Sequence, residues 1–187
     1  MVPLTSLWVP ILLSAVLVFV ASSIFHMLLP FHRKDYRRLP AEGDVLDALR
    51  RFAIPPGDYV APLAETPAAM KTPEFLDKMN KGPVLMMTVM PSGPPAMGPL
   101  FGLWFAYCVV VGIFAAYVAG RALGPGAPYL EVFRFAGTVA FVGYSLALWQ
   151  NSIWYKRSWG TTLRSTIDGL IYGMLTGGTF GWLWPRS

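Results

Sequence analysis

The sequence predicts an all-α membrane protein, a bundle of four transmembrane helices with a small, partly helical cytoplasmic loop region. Three observations lead there. Of the 187 residues, 55 % are hydrophobic and only 13 % charged, too little polar surface for a chain of this size to coat itself in water. The apolar residues gather into four runs, each long enough at about 1.5 Å per residue to cross a hydrocarbon core of about 30 Å. Clusters of proline and glycine, which cannot continue a helix, punctuate the segments between the runs.

The first run, Leu7 to Leu29, precedes the first charged side chain, Arg33, and assigns residues 1–30 to a first transmembrane helix. The start Met1-Val2-Pro3-Leu4-Thr5-Ser6 has no basic side chain, so the run reads as a span and not as a cleavable signal. Leu100 to Leu123 and Tyr129 to Ile153 are separated by Gly124-Pro125-Gly126-Ala127-Pro128 and form a helical hairpin. Ser165 to Trp184 is the last run. Residues 100–187 thus hold three transmembrane helices, with Trp182, Trp184, Tyr129, Trp149, Trp154, Tyr155 and Trp159 near run ends, at the depth where aromatic rings favour the interface.

Residues 31–99 form a loop region with two short amphipathic helices. Asp44 is the expected N-cap of the first, with Val45, Leu46, Leu49 and Phe52 on one face. The second is better punctuated: Thr72 as N-cap, Pro73 in the first turn, Glu74 near the positive end, Phe75, Leu76 and Met79 on one face, and Gly82-Pro83 as the stop. Asp58 to Pro62 and Val84 to Met90 are candidate strands. A region this small buries little surface alone, and is expected to lean on the bilayer, the helices or a partner.

Basic residues set the expected orientation. Twelve of the fifteen Lys and Arg fall in the loop region or between the third and fourth spans, and the positive-inside rule puts that side in the cytoplasm and both termini outside. Arg33, Lys34, Arg37 and Arg38, directly beside the first span, carry most weight and are the candidate contacts to lipid headgroups. Because basic residues flank apolar spans instead of interleaving with exposed aromatics, nucleic acid is not an expected partner. The single cysteine, Cys108, excludes an internal disulfide and a CxxC site.

The sharpest pattern lies in the last run, where Gly169, Gly173, Gly177 and Gly181 recur every four residues. Glycines so spaced line one side of a helix and form a shallow groove for another backbone. Gly112, Ala116 and Gly120 repeat the pattern more weakly in the second run, and Ala136, Ala140, Gly143 and Ala147 echo it in the third. Packing within the chain and packing against another subunit both satisfy it. The last run resembles the glycine zippers of small oligomeric membrane and channel proteins. With His26, His32 and Asp35 after an apolar start and the closing Asp168-Gly169-Leu170-Ile171-Tyr172-Gly173, the whole chain also resembles small uncharacterised inner-membrane proteins of bacteria, which implies that setting but no activity.

Ionisable residues inside or beside apolar runs are the usual functional pointers in membranes. Glu131 and Arg134, three apart, are expected to pair, as are Arg164 and Asp168, four apart. His26 and His32, six apart, point in different directions if the helix continues through both. No metal, cofactor or catalytic residue is therefore expected. The hydrolase elbow, the phosphate-binding loop and the HExxH pair are absent from the sequence.

The sequence-level expectation is a non-catalytic structural, assembly or accessory subunit in the bacterial inner membrane, held by the bilayer and by other membrane subunits or its own copies through glycine-rich faces. The alternative is a small oligomeric channel or transporter in which Glu131, Arg134, Gln150, Asn151 and Asp168 approach a polar path. The third is a membrane-embedded enzyme using His26, His32 and Asp35.

Overall fold

The computed structural model describes Met1 to Arg186 and divides the chain into two compact units, one of residues 1–37 with the chain from Ala96 onward, the other Arg38–Pro95. The first unit is built of α1 (Trp8–Ser23), α4 (Met97–Ala122), α5 (Tyr129–Ser145), the short α6 (Trp149–Ile153) and α7 (Trp159–Trp182). The second holds α2 (Glu42–Arg50), β1 (Gly57–Ala61), α3 (Pro73–Lys81) and β2 (Leu85–Val89).

Three stretches are long and apolar enough to cross a membrane: Trp8–Leu28, Met97–Ala122 and Tyr129–Ile153. The chain is a helical membrane protein. The fourth expected span, α7, is not among the three; its 24 residues suffice in length, but its glycines, threonines and Asp168 dilute its hydropathy. Nor is the third stretch one straight helix. It passes from α5 through a tight turn at Leu146–Leu148 into α6.

In the first unit α1 packs against α4 and α7, and α5 packs against α4 and most extensively against α7. The glycines explain that intimacy. A methyl group on Gly173 would sit 2.9 Å from the Gly137 carbonyl oxygen, and one on Gly177 2.7 Å from that of Phe133, so the two backbones meet where no side chain fits. Gly169 abuts Ser145, and Gly181 abuts Tyr129. Gly112 abuts Ile11 of α1, Gly120 abuts Val2, and Ala116 is fully buried between them. The glycine-rich faces are thus filled by the chain's own helices.

Two apolar clusters form the core. One joins Leu7, Ile11, Ala115, Ala119, Val132 and Phe180; the other joins Ala15, Val18, Cys108, Val111, Ala140, Tyr144 and Tyr172. Elsewhere the long helices expose Leu12, Val16, Leu103, Phe114, Val142 and Leu170, which suits a surface solvated by lipid tails.

In the second unit β1 and β2 pair antiparallel with Tyr59 opposite Met87. Thr72 caps α3, its Oγ1 accepting from the Phe75 N–H at 3.3 Å, and Gly82 ends the helix at a φ of 59°. Asp44 does not cap α2. That helix starts a turn earlier, after Ala41 in the left-handed region, and Asp44 lies in its first turn with Glu42, where two acids already satisfy the helix's positive end. No residue from Arg38 to Pro95 is buried, as expected of so small a unit.

Candidate functional site

The site begins where α1 stops being an ordinary helix. Pro30 lacks the N–H to continue it and disfavours helical geometry in the residue before it. The last turn, Ile24–Leu28, widens to the π form, Leu29 is extended, and Pro30–His32 makes a single tight turn. The chain therefore folds back, and the rings of His26 and His32 stack with centroids 4.1 Å apart and planes 11° apart. This corrects the sequence expectation that the two diverge, which assumed one continuous helix. Single π turns recur at functional sites.

The reversal lays His32 and Asp35 on the first turns of α7. His32 Nδ1 is 2.7 Å from Asp35 Oδ2, and the Arg164 guanidinium donates to Asp35 Oδ1 at 2.6 Å. His32 Nε2 lies 2.9 Å from Asp168 Oδ2, yet out of line for a hydrogen bond. Arg164 thus pairs with Asp35 and not with Asp168, because Asp35 is carried to it by the turn. Burial pushes the Asp35 carboxyl up, but the bonds from His32 and Arg164 outweigh this and hold it below its usual value.

His26 Nδ1 is 3.0 Å from the Ser22 carbonyl oxygen. Ser22 Oγ in turn accepts from the Trp104 indole N–H at 2.8 Å, which ties α1 to α4. Beside these lies a cavity of about 540 Å³ walled by the end of α1, the start of α4, the end of α5 and the start of α7. Its aromatic wall is Trp104, Tyr107, Tyr144 and Tyr172, whose rings meet mostly edge to face. Met27, Leu100, Phe101 and Leu148 add apolar surface, and Ser22, Ser23, His26, Ser165 and Asp168 add polar groups.

Two atoms at this cavity stand out. Asp168 Oδ1 and Tyr172 Oη are buried without a hydrogen-bond partner, as is the neighbouring His32 Nε2. Buried polar atoms are ordinarily paired, and an unpaired one is costly. The arrangement offers imidazole nitrogens to accept or donate a proton, a carboxylate oxygen and a phenol to bind a polar group, and two imidazoles beside a carboxylate to hold a cation.

The remaining sequence candidates do not join this site. Glu131 and Arg134 form no ion pair among the described residues. They lie at the start of α5, which packs beside the far end of α7 through Tyr129 and Gly181, so they are at the other end from Asp168. Arg33, Lys34, Arg37 and Arg38 are exposed. The sequence reading named His26, His32, Asp35, Arg164 and Asp168 but missed Ser22, Trp104, Tyr144 and Tyr172. Apolar or small residues within spans look like packing, and only Tyr172, four beyond Asp168 on one helix face, carried a signal.

The chain matches no family model, no curated protein and no solved structure.

Proposed function

We propose that this is a four-span protein of the bacterial inner membrane that works through the cavity beside His26 and Asp168, as a binding site for an amphipathic small molecule. The observation that carries the reading is the pair of unpartnered buried atoms, Asp168 Oδ1 and Tyr172 Oη, on two residues of a cavity otherwise lined largely by aromatic and apolar side chains. Such a pocket matches a ligand with an apolar body and a hydrogen-bonding head, and its volume lies in the usual range for small-molecule sites between helices. His26 and His32 stand beside that head as a proton donor or acceptor, which is what an enzyme would need.

The fourth span is supported by where its polar residues point. The glycines that lower the hydropathy of α7 face α5 and not lipid, so they cost nothing in contact with hydrocarbon. The ends of α1 and α5 and the starts of α4 and α7 meet at the cavity, the arrangement four antiparallel crossings require. The twelve basic residues on that side support a cytoplasmic loop and outward termini. Labelling a cysteine placed at Lys71 in a Cys108→Ser background checks this; reaction with an impermeant reagent on intact cells reverses the orientation.

An accessory-subunit role is the second reading. The faces centred on Gly112 and Gly173 are filled internally, but Gly98 and Gly102 on α4 have open space where a Cβ would stand, room for a second helix.

Native mass spectrometry of the protein from mild detergent tests the primary reading. The wild type is expected to carry a small-molecule adduct, and Ser23→Trp, which fills the cavity, to lose it while eluting unchanged. A wild type without adduct, or a Ser23→Trp protein that keeps it, sinks the reading.

A further inference from the structure

We infer that His26, His32 and Asp168 form a site for a divalent first-row transition ion with an open coordination position toward the cavity; this rests on the cavity being the working site. One ligand-capable atom from each of the three lies within 4.8 Å of the others.

The hydrogen bonds around the two histidines leave the Nε2 atom of each ring free to ligate. A carboxylate only accepts, so the 2.7 Å contact of His32 Nδ1 with Asp35 puts the proton on Nδ1 and the lone pair on Nε2. A backbone carbonyl also only accepts, so the contact of His26 Nδ1 with Ser22 does the same for His26. His32 is held by its far nitrogen, as metal-ligating histidines almost always are, and Asp35 would complete a carboxylate–histidine–metal relay anchored by Arg164.

The near side brings two polar atoms together. His32 Nε2 and Asp168 Oδ2, 2.9 Å apart, face each other without a hydrogen bond. Two lone-pair atoms at that distance repel unless something positive lies between or beside them. A proton would favour an in-line bond, whereas a tetrahedral ion bound at about 2.1 Å holds neighbouring donors roughly 3.4 Å apart, so these two need part only by about half an ångström to admit it from one side. Asp35 is neutralised by Arg164, so the charge left for the ion is that of Asp168, which is 4 % exposed. Two neutral imidazoles and one carboxylate suit a borderline ion such as Zn²⁺, and three protein ligands are the number of open, ligand-accepting sites. The fourth position then takes the head of the cavity's occupant.

The stacked rings must tilt apart for this, because an imidazole lone pair lies in the plane of its ring. His26 is exposed and sits in the widened last turn of α1, so it is the ring free to move.

The test uses the full chain in mild detergent, purified without a histidine tag, stripped with chelator and titrated with Zn²⁺, with Co²⁺ as an optical probe. One saturable Zn²⁺ per chain is expected, with nitrogen-ligated Co²⁺ absorption. His26→Ala and Asp168→Asn should weaken binding by at least about tenfold, Asp35→Asn by about 10-fold to 100-fold, and Glu131→Gln not at all. His26→Ala is the decisive variant, since removing an exposed ring leaves the fold intact by circular dichroism. Absence of saturable binding, or equal binding by His26→Ala, overturns the metal site. Native mass spectrometry of the stripped protein separates the two proposals: an adduct kept without metal binding sinks only the ion, and metal bound without an adduct sinks only the amphipathic ligand.

Discussion

The two ends of α7 are built on opposite rules. From Gly169 to Gly181 the helix presents to α5 a face with no side chains, and backbones approach so closely that an added methyl would meet Gly137 O at 2.9 Å. At its start the same helix presents Arg164 and Asp168 to a reversed chain end, and two buried atoms there, Asp168 Oδ1 and His32 Nε2, go unpaired. The first end is closed by backbone contact along the glycines. The second is held in place by Arg164 and Asp35 yet keeps unpaired polar atoms. Close packing and unpaired polar groups are thus separated along one helix.

Four changes break or sharpen that contrast, from the largest effect to the smallest. Gly173→Leu with Gly177→Leu should be the most damaging, because bulky side chains would replace backbone contact at 2.9 and 2.7 Å; overpacking costs about 1–3 kcal/mol or more per site. Membrane fractionation and size-exclusion chromatography should show insertion followed by aggregation or degradation, while Leu170→Ala with Leu175→Ala behaves much closer to the parent. Parent-like elution of the glycine variant would show that the seam is loose.

Arg164→Ala comes next. It leaves the Asp35 carboxylate, which is 9 % exposed, with His32 alone, and the loss of a charged hydrogen-bond partner costs about 1–3 kcal/mol. Thermal unfolding in detergent should fall accordingly, and Arg164→Lys should restore part of it. A variant as stable as the parent would mean that the turn after α1 is held by Pro30 and packing alone.

Acid is a gentler probe of the same contact. The Asp35 carboxyl is held below its usual value of 3.8, so its contribution is fully present above that pH and is lost as pH falls through the lower folded-state value. A thermal-stability profile should drop below pH about 4, and Asp35→Asn should flatten that step. An unchanged drop in the variant would assign it to other carboxylates.

Tyr172→Phe should have the smallest effect on the fold, within about 0.5 kcal/mol, because the hydroxyl removed has no partner to lose. Its consequence should appear in the cavity, as weaker retention of the small-molecule adduct. A clear loss of stability would instead mean that the hydroxyl is bonded within the folded protein.

How much of this was legible in the sequence differs between the two ends for a physical reason. Periodicity in a helix is local. The four-residue spacing of Gly169, Gly173, Gly177 and Gly181 puts them on one face whatever surrounds them, so a close-packing surface was readable, though not that α5 would fill it. Thr72, Pro73 and Gly82 were readable on the same ground, since a cap is decided within one turn. Asp44 shows the limit: a good N-cap residue was passed over because Ala41 took the left-handed position and the helix began sooner.

The polar cluster depends on a chain reversal and on partners more than a hundred residues apart. The pairing of Asp35 with Arg164 joins positions 129 residues apart, and no spacing rule reaches that far. Treating His26 and His32 as points on a straight helix sent them apart, although Pro30 already marked the break. By itself, then, the sequence determined that this is a helical membrane protein, where its apolar runs lie, and which helix faces carry only small residues, because composition and period act through local geometry and solvent. The tertiary structure alone decided that the glycine faces are filled from within, that Arg164 serves Asp35, and that two histidines, two aspartates and an aromatic cavity share one end of the helices. Those pairings exist only once four separate helix ends have been brought together.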